Sequence, residues 1–163
     1  MSGADNQQER LDAAWISGFV DGEGCFHVAI NRQSKMTLGF QVLPEFRIVQ
    51  HERDVAVLHR IQHSLSVGSV CRNHGERMEL RVRKLSELNT LVEFFATFPL
   101  QTKKRQDFKF FREIISMMNA KEHLTADGLR RIAQKAAGMN RQNRRWYLES
   151  PETIRLTGED RKI

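Results

Sequence analysis

Two carboxylates, Asp21 and Glu23, flank Gly22 in the stretch AAWISGFVDGEGCFHVAI. A helical period precedes them and a strand period follows, so both lie at a predicted helix C-terminus. That end carries partial negative charge and carbonyls with no intrahelical donor. A carboxylate is disfavoured there unless water or a cation screens it. Carboxylate and carbonyl oxygens suit a hard cation such as Mg2+. Two such ends brought together with a phosphodiester would form a hydrolytic site, the ion activating water and offsetting charge on the leaving oxygen. The plainer alternative is a pair of solvated side chains that end a helix.

Ala14, Gly18 and Gly22 recur every fourth residue on one face of the same helix. Small residues at that spacing let helix backbones approach closely. The stripe therefore predicts either packing against a bulky internal element or a homodimer contact through this helix, the arrangement that would unite two acidic ends.

The elements that must position these groups follow from periodicity. Leu11, Ala14, Trp15, Gly18 and Phe19 carry a helical repeat over residues 10–20, with Gly22 and Gly24 as stop signals. From Cys25 the period becomes two. Phe26, Val28 and Ile30 share one face, and Cys25, His27, Ala29 and Asn31 the other. A second strand puts Phe40, Val42, Phe46 and Ile48 on one face and Gln41, Leu43, Glu45 and Arg47 opposite. Pro44 lacks an N–H, which predicts irregularity or an edge there. Helix 52–66 follows, then an extended segment from Gly68 bearing Ser69, Cys71 and Asn73, an Asn-His-Gly turn, and a strand alternating Met78, Leu80 and Val82 with Glu79, Arg81 and Arg83. Helices are predicted over 86–98, 102–119 and 125–137.

This order, α-β-β-α-β-β-α followed by C-terminal helices, predicts an α+β fold with one four-stranded antiparallel sheet. We read 1–163 as a single domain, with its core at about 10–120 and a helical, basic extension at about 121–163. One sheet face is apolar. The other mixes donors and acceptors and is rich in arginine, as expected of a solvated face or of a ribbon that reads bases in the DNA major groove.

The chain has 163 residues and a formal net charge of +6, which favours an anionic partner such as nucleic acid. No apolar run reaches membrane-spanning length, and the polar N-terminus lacks a signal-type apolar core. With two cysteines, Cys25 and Cys71, a disulfide framework is not expected, and a soluble intracellular protein is. His59 and His63 stand four apart, but no zinc-site spacing is present.

Ile16–Gly24, ISGFVDGEG, resembles the nine-residue motif of LAGLIDADG homing endonucleases and occurs once. The resemblance covers residues 11–120 and implies a homodimeric DNA endonuclease of the single-motif kind. Such an enzyme makes a metal-dependent double-strand break across the minor groove of a long pseudo-palindromic site, and so promotes intron mobility. It also implies Mg2+, or Mn2+ or Ca2+ in its place. Glu23 takes the role of metal-binding acid, with the Gly22 carbonyl as a further ligand and Asp21 as a tuning residue or, alternatively, another metal ligand. Gln50 at the end of the second strand is assigned to positioning water, and Lys103 is the basic catalytic residue. A further basic position of the family falls on Asp54, a departure, with Arg53 beside it. The outward sheet face becomes the DNA reader, and Lys121, Arg141, Arg144 and Arg145 become phosphate contacts. Two other readings use the same scaffold: an RNA maturase, and a non-cleaving nucleic-acid-binding dimer.

Overall fold

The computed structural model describes residues 10–139. Its first helix, α1 (Ala13–Glu23), starts at Asp12, whose side chain accepts from the Trp15 N–H. The helix does not stop at Gly22, as the glycines led us to expect. It runs through Asp21, Gly22 and Glu23 and is capped by Gly24, whose N–H donates to the Val20 carbonyl. The buried face of α1 is Ile16, Ser17 and Val20. Ala14, Trp15 and Gly18, which the repeat marked as the apolar side, are exposed. The helix is apolar on two sides, and periodicity singled out the outer one.

The strands are β1 (Gly24–Arg32), β2 (Phe40–His51), β3 (Ser69–Arg72) and β4 (Arg77–Val82), in one antiparallel sheet of order β1-β2-β4-β3. β3 and β4 form a hairpin whose register pairs Ser69 with Arg81 and Cys71 with Glu79, so these four share a face. Gly75 takes a positive φ in its turn. β2 is continuous through Pro44 and internal to the sheet, not an edge strand. β4 has half the length of β2, and the Glu52 N–H donates to the Glu76 carbonyl beyond the His51 end of β2. The helices are α2 (Val55–Leu65), α3 (Leu85–Thr97), α4 (Lys104–Asn119) and α5 (Ala126–Ala137). The order matches the one predicted from sequence.

The chain divides into two units. The first comprises, among the described residues, 10–25 and 47–101. Its core contains Ile16, Val20, Leu58, Ile61, Leu80, Val82, Leu88, Leu91 and Phe95, all essentially inaccessible. Gly68 has φ +73, and a Cβ there would lie 2.5 Å from the Arg81 carbonyl oxygen, so only glycine fits this approach. The second unit comprises, among the described residues, 26–46 and 102–139. Its core is centred on Phe26, whose ring meets Phe46, Phe108 and Phe111 at 5.1–5.5 Å. The Thr125 hydroxyl caps α5 by accepting from the Gly128 N–H.

Candidate functional site

The exposed end of α1 carries the two carboxylates, and the fold gives them different partners. Asp21 Oδ2 accepts from the Gln101 N–H at 2.8 Å. That bond ties the helix end to the chain that follows α3. Ser17 Oγ, one turn earlier, donates to the Phe98 carbonyl at 2.7 Å and makes a second tie to the same segment. Asp21 is therefore an anchor. Glu23 is exposed, and its Oε2 accepts from Gln50 Nε2 at 3.2 Å. The pair joins residues 27 positions apart, because β2 returns beside the start of β1. Glu23 keeps its second oxygen and further lone pairs for another ligand.

A metal ion fits this end only in part. Among the described residues no group of three or more His, Cys, Asp and Glu side chains comes together to hold one. Glu23 with the last-turn carbonyl of Gly22 would offer two of the roughly six oxygens such an ion takes, and phosphate oxygens, water or a second acidic end would have to supply the rest. Lys103 is exposed and immediately precedes α4, where Lys104 N–H donates to the Thr102 hydroxyl at 3.2 Å. Arg53 Nε contacts Asp54 at 3.3 Å on the surface, so the departure from the family's basic position is an exposed ion pair. His59 and His63 are exposed, and Cys25 and Cys71 form no disulfide.

The small-residue face is open. A Cβ at Gly18 or Gly22 would meet nothing within 4 Å. Among the described residues no element packs on Gly18 or Gly22, so packing against a described internal element does not account for the stripe. Trp15 stacks on Phe19 along the adjacent row, with ring centroids 5.1 Å apart, and remains 44% exposed. Phe98 is also exposed. Periodicity reads both Trp15 and Phe98 as core, and the structure leaves both exposed.

Alternation on the sheet follows the predicted faces. Phe26, Val28, Val42, Phe46, Ile48, Leu80 and Val82 are buried, and His27, Ala29, Asn31, Gln41, Leu43, Arg47, Ser69, Asn73, Arg81 and Arg83 are reachable to varying degrees. Two expected readers are not. Glu45 is 6% and Glu79 1% exposed. Glu79 cannot meet a base edge as it stands, because its own neighbours occupy it. Arg81 Nη2 lies 2.6 Å from Oε1, Asn73 Nδ2 donates to Oε2 at 2.8 Å, and the Cys71 thiol donates to Oε1 at 3.7 Å. Lys121 is exposed in a left-handed conformation, φ +59. Arg141, Arg144 and Arg145 lie outside the described residues. No described helix is long and apolar enough to cross a membrane.

Residues 16–115 match the family profile described as LAGLIDADG endonuclease. The crystal structure of the homing endonuclease I-TnaI superimposes with a TM-score of 0.83 at 48% identity, covering 94% of this chain and all of that one. The I-SmaMI LAGLIDADG homing endonuclease bound to cleaved DNA aligns with a TM-score of 0.82 at 26% identity, over 91% of this chain and 48% of that one. A Neurospora crassa protein named probable intron-encoded endonuclease 3 is 32% identical over 130 residues, 77% of this chain and 24% of its own length. The chain spans about a quarter of the length of the first curated relatives it matches.

Proposed function

Because the chain belongs to the LAGLIDADG endonuclease family, we propose that it is a site-specific DNA endonuclease acting as a homodimer through α1. The observation that carries this reading is the Glu23–Gln50 pair at the exposed end of a helix whose small-residue face is left open by the described residues. Two copies meeting on Ala14, Gly18 and Gly22, with Trp15 and Phe98 at the margin, would bring two Glu23 carboxylates to one axis. One copy spans about half of the I-SmaMI chain, so two copies match that chain in extent. Intron mobility is the role suggested by relatives named as intron-encoded.

In this reading Glu23 and the Gly22 carbonyl bind the ion, and Gln50 holds the Glu23 carboxylate in one orientation while its own carbonyl faces water. A divalent cation bound there supplies charge for the leaving oxygen and a more acidic water. Asp21 keeps the helix end in place through Gln101. Lys103 offsets charge on the reacting phosphate. Arg47, Arg81, Arg83, Gln41 and Asn31 supply the donors and acceptors that distinguish base pairs in the major groove. Lys121 contributes phosphate attraction without sequence information.

Incubation with a randomised double-stranded DNA library in Mg2+, followed by sequencing of cut ends, tests the proposal. A discrete pseudo-palindromic site cut on both strands, and no cutting in EDTA, is expected. Uncut DNA, or cutting that persists in EDTA, overturns it.

A further inference from the structure

Glu79 lies on the outward face of the β3–β4 hairpin yet is 1% exposed. A carboxylate removed from water to that extent requires partners, and here they come from three neighbouring positions. Arg81, Asn73 and Cys71 all direct polar atoms at it. The register explains the cluster. Cys71 is directly opposite Glu79, Arg81 is two residues further along the same face, and Asn73 enters from the turn. Arg81 remains one-third exposed and Asn73 is exposed, so both reach solvent while bound to a buried anchor.

This anchoring removes freedom that matters for reading bases. An ionised carboxylate only accepts, so the Asn73 amide must turn its nitrogen inward. Its Oδ1, which takes no donor among the described residues, is then the acceptor on offer. An outward acceptor favours a base edge that carries a donor, adenine N6 or cytosine N4. The Arg81 guanidinium is held at Nη2 by Glu79, its Nε is buried, and its one-third exposed edge is thereby set in orientation, an arginine edge of the kind that favours guanine. Cys71 closes the cluster on the strand side and helps to exclude water from it.

We propose that Glu79 is a positioning residue for sequence recognition: it fixes Arg81 and Asn73 as one unit and thereby couples the choice of two base pairs in each half-site. The inference rests on the DNA-reading function proposed above. It assigns to a residue that touches no base the orientation of two that do.

The test carries the full chain and its E79Q, N73A and R81A variants through binding selection on a randomised double-stranded DNA library in Ca2+. N73A and R81A identify the two base pairs by the preference each one relaxes most. E79Q is expected to relax both, by about tenfold each, and to add nothing at the Arg81 base pair when combined with R81A. An unchanged E79Q profile overturns the inference, and so does a loss of affinity uniform across sequences. If E79Q melts below the assay temperature, the two exposed-residue variants decide. Coupled through Glu79, each blunts preference at the other's base pair; strictly independent relaxation overturns the inference. A wild-type protein that enriches no sequence removes the DNA-reading function itself, whereas an enriched wild-type site with an unchanged E79Q profile removes only the role of Glu79.

Discussion

Gly18→Leu separates the stability of one chain from the association of two. A Cβ at Gly18 meets nothing within 4 Å in the isolated chain, so the larger side chain creates no internal clash. Position 18 lies within α1, where leucine is a better helix former than glycine by about 0.8 kcal/mol. The single chain should therefore hold its stability or gain slightly. In a dimer built on α1 the same side chain enters a close backbone contact. Overpacking costs about 1–3 kcal/mol per site, and two-fold symmetry places the change on both sides of the axis. The expected loss is about 2–6 kcal/mol of association, a dissociation constant raised about 30-fold to 20,000-fold. Sedimentation velocity over a dilution series reads the association. Thermal unfolding at the lowest concentration, where linkage to dimerisation is weakest, reads the chain. An unchanged sedimentation mass would refute the seam. A monomeric variant with lower chain stability would refute the argument from open space at Gly18.

The other expectations concern the helix end and the two cores. Glu23→Gln should abolish cleavage while specific DNA binding in Ca2+ persists; gel-shift and nicking assays on one DNA distinguish the two. Gln50→Ala should slow cleavage about 10–100-fold, the range for a group that orients a metal ligand, as measured by single-turnover kinetics. Asp21→Ala should cost about 1 kcal/mol by breaking the bond to the Gln101 N–H. Denaturant unfolding measures that cost, and Asp21→Asn, which keeps an acceptor, should recover most of it. Gly128→Ala should lower the melting temperature by about 4–8 °C. Its Cβ would stand 1.9 Å from the Glu122 carbonyl oxygen, a clash that outweighs the gain in helix propensity. An undiminished melting temperature would count against this packing of α5.

Much of the fold was legible because the signals were local. Alternation at Phe26 and Val28, and again at Leu80 and Val82, marked the buried sheet face, which the structure bears out. Thr125 was legible as the start of α5, and its hydroxyl caps that helix. The motif Ile16–Gly24 pointed to the family. Reading α1 was harder. Its exposed face, with Trp15 and Phe19, is as apolar as its buried one, so the period located a helix without telling inside from outside. Gly22 read as a stop, but glycine in a helix costs only about 1 kcal/mol, and the ties of Ser17 to Phe98 and Asp21 to Gln101 hold the last turn.

The sequence alone determined the order of elements, the outward set of polar residues and the placement of two carboxylates at a helix end, since each depends on neighbours within a few positions. Tertiary structure decided which carboxylate was spent. Asp21 is bound by Gln101, 80 residues away, while Glu23 meets Gln50 and stays exposed. It also decided that Glu79, one of a polar alternating set, is buried beneath Arg81, Asn73 and Cys71. Burial and hydrogen-bond partners depend on which chain segments return to the same place, and strand register and helix ties set that return.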